Sequence, residues 1–201
     1  MDTNFDRSSA NTYPNSDSIA YTSKTLQLIV DTFGQQRNAL VLDVGIVCSE
    51  NINFFARQVQ RLYVCDIFTR LDQDRHKGME TKCVWRHLDY TPNSFDAINL
   101  WDLVEHIDDS EAKKLTEICR IMLKRDGLLF ITDFEKKTVP HEVSSFVIGN
   151  DFRLSLRPQT NLHLPWYYRH NRALISLFTP FSVVKSFRYR NGIREFLFQQ
   201  E

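Results

Sequence analysis

The sequence lacks the features that would direct it into or across a membrane. No apolar run in its 201 residues approaches the roughly 20 residues that a membrane-spanning helix needs. The amino terminus has neither the basic start nor the apolar core of a secretory signal. We therefore predict a cytoplasmic protein with no membrane partner.

Cysteines are few and far apart, which argues against a metal site or a disulfide framework. The sequence contains four of them, none within a Cys-x-x-Cys pair, and most fall inside predicted elements. They are Cys48, Cys65, Cys83 and Cys119. In this pattern buried free thiols are favoured over disulfides or zinc ligands, so we predict no metal.

The chain also has no net charge, yet its charges are unevenly distributed. The segment from Arg153 to Arg194 carries eight basic residues and no acidic one, and aromatic residues are interleaved with them. Such a segment can attract an anionic substrate or a phosphate backbone. A solvated basic face is the alternative, and it is the commoner meaning of a charge run.

Hydrophobic residues make up 42% of the chain and aromatic residues 12%, which is typical of a folded globular protein of this size. Residues 1–17 are polar, and we interpret them as a flexible arm before a single domain over residues 18–201. Apolar residues at helical spacing predict a first helix from Ser18 to Gln35.

The segment Ala39–Ala56 reads as a buried strand, a turn and a helix entered near Ser49. The predicted strand covers Ala39–Val44 and carries Asp43 near its carboxyl end, and the turn pivots on Gly45. Backbone N–H groups and a carboxylate should therefore surround one crevice, where α/β proteins hold nucleotide-like ligands. Such turns usually carry two or three glycines, whereas Ile46, Val47 and Cys48 follow the single glycine here. An ordinary βα turn is therefore the alternative.

Strands alternate with helices along most of the remaining chain. A helix is predicted after Asp109 or Ser110, with Leu115, Ile118, Cys119 and Met122 on one face and Lys124 and Arg125 in its last turn. Asn191-Gly192 between two alternating runs predicts a terminal hairpin. The fold class is thus α/β, a doubly wound parallel sheet that ends on an antiparallel hairpin. The further predicted strands are Arg61–Asp66, Thr81–Leu88, Phe95–Trp101, Leu128–Asp133, Ser182–Tyr189 and Ile193–Gln199.

Four segments in order resemble the class I S-adenosylmethionine-dependent methyltransferases, in particular the compact bacterial branch that methylates small molecules. They are VLDVG at 41–45, FDAINLWDLVEHI at 95–107, LKRDGLLFITD at 123–133 and HLPWYYRHNRALISLFTPFSVV at 163–184. The resemblance implies a Rossmann-like methyltransferase fold: a mostly parallel seven-stranded sheet with helices on both faces and a C-terminal antiparallel hairpin. It also implies S-adenosylmethionine as cofactor and a small-molecule methyl acceptor.

The resemblance assigns cofactor contacts residue by residue. Asp43 and Gly45 would line the methionine part, Asp66 would bind the ribose hydroxyls, and Asp89 would accept a hydrogen bond from the adenine amino group. The other assigned contacts are Ile67 and Leu88 against the adenine ring, and Trp101 and Asp102 beside the methyl-bearing sulfur.

Methyl transfer needs alignment and, for some acceptors, a base. His106 is our first candidate, because it follows the fourth predicted strand and imidazole titrates near neutral pH. His163, in the aromatic segment, is the second. A histidine at a helix entry, such as His106, is more often a hydrogen-bonded structural residue, and His163 could equally pack as a core residue.

Three functions remain open from the sequence. The first is methyl transfer to a small molecule, with an anionic acceptor favoured by the basic carboxyl-terminal third. The second is a catalytically silent methyltransferase-fold scaffold or regulatory protein, which Ile46, Val47 and Cys48 in the cofactor turn favour. A nucleic-acid-binding or nucleic-acid-modifying protein ranks third. Room for the cofactor in the turn separates the first function from the second.

Overall fold

The computed structural model describes residues 20–34, 38–135 and 142–201, and within these ranges it leaves out the side chains of residues 81 and 82. The predicted arm over residues 1–17 lies outside the described residues. Every helix in the described ranges is too short or too polar to span a bilayer. These ranges also contain no group of three or more His, Cys, Asp or Glu side chains placed to hold a metal ion.

The described chain alternates strands and helices. The strands are β1 Ala20–Thr22, β2 Leu40–Val44, β3 Arg61–Cys65, β4 Phe95–Asn99, β5 Leu123–Phe134, β6 Ser144–Ile148, β7 Arg153–Pro158, β8 Ser182–Arg188 and β9 Ile193–Gln199. The helices are α1 Lys24–Phe33, α2 Ser49–Phe55, α3 Ile67–His76, α4 Asp109–Met122 and α5 Asn171–Leu177. Three 3-10 segments cover Thr81–Leu88, Leu103–His106 and Asn150–Phe152.

Six strands form the main sheet in the order β3-β2-β4-β5-β9-β8. The first four are parallel, and β9 runs antiparallel to both β5 and β8. Buried residues of α1 and α2 belong to one hydrophobic core, and buried residues of α3, α4 and α5 belong to a second. The predicted doubly wound sheet with a terminal hairpin at Asn191-Gly192 is therefore confirmed.

The predicted third strand is wrong. Residues Thr81–Leu88 form a 3-10 helix, and the main sheet therefore has six strands instead of seven. The buried side chains in this segment are Val84, Trp85 and Leu88, whose spacing fits one face of a helix and does not alternate as a strand on a half-buried sheet does. The pattern of burial in this segment is thus that of a helix.

A second, three-stranded antiparallel sheet, in the order β1-β7-β6, was not predicted, and we call it the cap sheet. The first helix starts later than expected because Ala20–Thr22 pair with β7 instead of extending it. Ser23 is the N-cap residue of α1, and its hydroxyl accepts a hydrogen bond from the backbone N–H of Leu26 at 3.0 Å.

The helix predicted after Asp109 or Ser110 is confirmed as α4, with Leu115, Cys119 and Met122 buried. Its N-cap is one residue earlier: the Asp108 carboxylate accepts from the backbone N–H of Glu111 at 2.9 Å. The helix ends at Met122, so Lys124 and Arg125 lie in β5 and not in the last helical turn.

Candidate functional site

The carboxyl ends of β2 and β4 bring together the residues that the sequence placed around a ligand cradle. The two strands are parallel neighbours, and Asp43 pairs in register with Asn99. Gly45 follows one strand and Trp101 follows the other. The Asp43 side chain is buried, with 3% of its surface exposed. We refer to the space bounded by Asp43, Gly45 and Asn99 as the cradle.

The indole ring of Trp101 fills the cradle. Its Nε1 donates a hydrogen bond to Asp43 Oδ1 at 2.7 Å, and Asn99 Nδ2 donates to the same oxygen at 3.3 Å. A Cβ atom placed on Gly45 would lie 2.5 Å from Trp101 Cδ1, closer than real Cβ contacts allow. Glycine is needed here so that the indole can lie against the backbone of the turn.

Aromatic rings from two sheets enclose the indole. Phe146 of the cap sheet stacks on Trp101, with ring centroids 5.5 Å apart and planes 17° apart. Phe130 of β5 makes an edge contact with it at 5.4 Å. Only 3% of the Trp101 surface is exposed. The indole therefore has one polar contact and two aromatic walls, and solvent scarcely reaches it.

Helix α2 fastens the cap sheet over the cradle. The buried Asn51 side chain donates to the carbonyl of Phe146 and accepts from the N–H of Ile148, both at 2.8 Å. An exposed ion pair joins Arg157 to Glu50 at 2.6 Å. One amide side chain thus satisfies a donor and an acceptor of strand β6, which holds Phe146 against Trp101.

Burial raises the pKa of Asp43 to about 6, although the hydrogen bonds from Trp101 and Asn99 lower it in part. The folded chain therefore binds this proton more tightly than the unfolded chain does. The resulting stability is present below about pH 4 and is lost as the pH rises through about 6. Above that pH the buried carboxylate costs about 3 kcal/mol.

We expect Asp43→Asn to raise the free energy of unfolding near pH 8 by about 1–3 kcal/mol, because the amide needs no ionisation in the buried site. The Asn oxygen can still accept from Trp101. Near pH 4 the variant and the parent should be equally stable. Urea unfolding at both pH values tests this, and the exposed Asp89→Asn serves as the control. A variant less stable than the parent near pH 8 would contradict the argument.

The other residues assigned to a cofactor lie around the next strand end. Asp66 is the N-cap of α3, and its two oxygens accept from the backbone N–H and the hydroxyl of Thr69, each at 2.9 Å. Ile67 and Leu88 are buried in the core, whereas Asp89 is exposed. Asp43 and Asp66 thus lie at the carboxyl ends of neighbouring strands of the sheet.

His106 is buried beneath the irregular segment 162–170, which we call the strap. Its Nδ1 lies 3.0 Å from the carbonyl oxygen of Pro165, so this nitrogen is the donor. Its Nε2 lies 3.6 Å from Asp102 Oδ2. Trp166 of the strap packs edge-on against the imidazole. In this arrangement His106 holds the strap to the segment after β4.

His163 lies elsewhere and is exposed. Its backbone N–H donates to Asp72 Oδ1 at 3.0 Å. The side chain borders a cavity of about 360 Å³ that Arg75, Glu142 and Thr160 also line. The two candidate bases therefore belong to different surroundings, one buried under the strap and one beside helix α3.

Sequence reasoning missed a buried charged network that anchors the strap. The Arg169 guanidinium donates to the carbonyls of Val104 at 2.6 Å and Ile107 at 2.8 Å, and it pairs with Asp109. Arg194 pairs with the buried Asp133 and donates to the carbonyl of Arg169 at 3.0 Å. Both arginines were interpreted as part of a basic run, and only their burial distinguishes them.

Glu105 belongs to the same network. Burial, and then the neighbouring Asp133 carboxylate, raise the pKa of Glu105 well above its usual value. The proton of Glu105 can thus bridge to Asp133. Burial raises the pKa of Asp133 as well, and the hydrogen bond from Glu105 and then the Arg194 guanidinium oppose that rise in part. Of the basic residues of 153–194, Arg169 and Arg194 are therefore structural, and Arg157 and Arg188 form ion pairs with Glu50 and Glu135.

The cradle does not fit the methionine part of S-adenosylmethionine in this conformation. Trp101 takes the space above Gly45 and bonds the Asp43 carboxylate, where an ammonium group would need a partner. On the ribose side the residues fit, because the Asp66 carboxylate can accept more hydrogen bonds than the two from Thr69. The obstacle is thus confined to the indole and the rings around it.

Comparison with known proteins agrees with the fold. Residues 42–131 match the methyltransferase domain family. None of the curated proteins has a sequence significantly similar to this chain. The N-methyltransferase NodS from Bradyrhizobium japonicum WM9 is 14% identical, with a TM-score of 0.53, over 87% of this chain and 93% of that one.

Two further solved structures show the range of proteins with this fold. The 1,6-didemethyltoxoflavin-N1-methyltransferase from Burkholderia thailandensis, solved with S-adenosylhomocysteine, is 17% identical with a TM-score of 0.52, covering 88% of this chain and 78% of that one. The cyclase SpnF is 13% identical with a TM-score of 0.51, over 88% and 80%. The match to the methyltransferase domain family thus covers less than half of the chain, and the chain as a whole has the Rossmann-like fold of the class I S-adenosylmethionine-dependent methyltransferases.

Proposed function

We propose that this chain is a catalytically silent methyltransferase-fold protein that acts as a scaffold or regulatory partner. The observation that carries the proposal is the Trp101 indole in the cradle, bonded to Asp43 and packed on Gly45. A methyl donor needs this space for its methionine part, because binding that part aligns the sulfonium methyl group with the acceptor atom. A cradle filled by the chain's own side chain removes that alignment.

The residues that follow Gly45 support the same function. Ile46 packs against the core and Cys48 is buried. Both side chains are therefore held in the turn and occupy space that glycine residues would leave open. The residue between them, Val47, lies at the surface with 49% of its area exposed. Small residues in such turns let the backbone approach a ligand closely, and this turn has replaced them with side chains.

Methyl transfer to a small molecule is the second candidate. The methyltransferase domain match over residues 42–131 favours it, and so does the presence of Asp43 and Asp66 at neighbouring strand ends. The Bradyrhizobium and Burkholderia proteins are N-methyltransferases by name. An anionic acceptor and a base at His106 would complete this candidate, and it requires the indole to leave the cradle.

Titration with S-adenosylmethionine and S-adenosylhomocysteine, followed by thermal unfolding and calorimetry, separates the two candidates. We expect no saturable shift for this chain at millimolar ligand. A ligand at 100 times its dissociation constant stabilises by about 2.7 kcal/mol, which is a shift on the order of 5–10 °C for a chain of this size. A shift of that order would overturn the silent function. The Burkholderia enzyme, solved with S-adenosylhomocysteine, is the positive control.

A further inference from the structure

We propose that Trp101 is an internal occupant of a latent ligand site, and that removing its indole opens the cradle to S-adenosylhomocysteine. The inference deepens the proposed function and rests on it, since it names the side chain that keeps the chain silent. The inference predicts a difference in S-adenosylhomocysteine binding between the parent and a Trp101 variant. The proposed function concerns the parent alone, so the two can fail separately.

Contacts with the rest of the chain impose the position of Trp101. Its backbone has φ of +46°, a left-handed conformation that bulky residues rarely adopt. One polar bond to Asp43 and two aromatic contacts, from Phe130 and Phe146, hold the side chain in place. Small-molecule binding sites in proteins likewise have mostly apolar walls and a few precisely placed polar groups.

Without the indole the cradle offers acceptors to a donor-bearing ligand. The Asp43 carboxylate would lose the hydrogen bond from Trp101. Asn99 Oδ1 is buried and has no hydrogen-bond partner among the described residues. Two buried acceptors side by side favour an ammonium or another N–H group. The amino group of S-adenosylhomocysteine has this chemistry, and Gly45 would leave its backbone free for close approach.

The cap sheet provides a second way to loosen the indole. Phe146 stacks on the face of Trp101, and Asn51 fixes the backbone at the carbonyl of Phe146 and at the N–H of Ile148. Removing the Phe146 ring takes away one wall without touching Asp43 or Gly45. The Trp101 side chain could then leave the cradle by rotating toward the vacated space.

The experiment compares S-adenosylhomocysteine binding by the parent, Trp101→Ala and Phe198→Ala with calorimetry and thermal unfolding. We expect Trp101→Ala to bind at least about tenfold more tightly than the parent. Phe198 is a fully buried ring in the core on the other face of the sheet, so Phe198→Ala should bind as the parent does. Indole is the second probe for every variant, because it fits the space that Trp101→Ala vacates.

Each outcome decides the inference. Tighter binding of S-adenosylhomocysteine by Trp101→Ala alone supports it, whether or not indole also binds. Binding of indole without S-adenosylhomocysteine overturns it, since Trp101 is then an ordinary core residue, and equal affinities of variant and parent overturn it as well. If Trp101→Ala does not fold, Phe146→Ala takes its place, with the same expected direction and the same overturning result. Binding by the parent itself overturns the proposed function.

Discussion

Replacing Arg169 by methionine is expected to lower the free energy of unfolding by about 3–5 kcal/mol. Arg169 is 7% exposed, and its guanidinium donates to the carbonyls of Val104 and Ile107 while pairing with Asp109. Methionine fills a similar volume but donates nothing, so both carbonyls would be left buried without a partner. Each such loss costs about 1–3 kcal/mol.

Urea unfolding followed by circular dichroism measures this loss. The matched control is Arg172→Met, because Arg172 is exposed and lies in the same part of the chain. Its effect should stay within about 0.5 kcal/mol. A loss below about 1 kcal/mol for Arg169→Met would show that the strap does not depend on this guanidinium.

Arg194→Met should be equally severe for a different reason. The substitution leaves the Asp133 carboxylate, which is 1% exposed, buried without its cation. Breaking a buried ion pair from one side costs about 3–5 kcal/mol. The hydrogen bond from the protonated Glu105 offsets part of this cost, because it stabilises the Asp133 carboxylate.

A double-mutant cycle with Asp133→Asn tests the pairing. We expect the Arg194→Met/Asp133→Asn chain to recover much of the loss, so that the two effects are clearly not additive. The loss in Arg194→Met should also shrink as the pH falls, because protonation removes the unpaired charge of Asp133. Arg190→Met, at an exposed neighbouring position, is the control. Additive effects in the cycle would rule out the ion pair as the cause.

Much of the main sheet could be predicted because its elements carry periodic patterns. The stripe of Leu115, Cys119 and Met122 and the Asn191-Gly192 turn depend on neighbours in sequence, and both are present in the structure. The segment Thr81–Leu88 shows where this fails. Its apolar residues suit a strand by type, whereas their burial is set by packing against α3 and α4.

The location of the site could be predicted from the sequence, but the filling of the cradle by the Trp101 indole could not. Asp43, Gly45 and Trp101 meet because parallel strands end at one edge of the sheet, which the sequence order implies. The indole of Trp101 lies against Gly45 because Phe146, a residue of the unpredicted cap sheet, stacks on its face. The roles of Arg169 and Arg194 likewise follow from burial, which no charge run reveals.

The cap sheet joins parts of the chain that are distant in sequence. Its first strand ends just before α1 and pairs with β7, while the N–H of Ser23 donates to the carbonyl of Phe152 at 2.9 Å. Bringing such distant segments together costs more loop-closure entropy than forming the strand–helix–strand units between them, and contacts of this kind form slowly. We therefore expect the cap to assemble after the sheet beneath it, so that the last step of folding is also the step that seals the cradle.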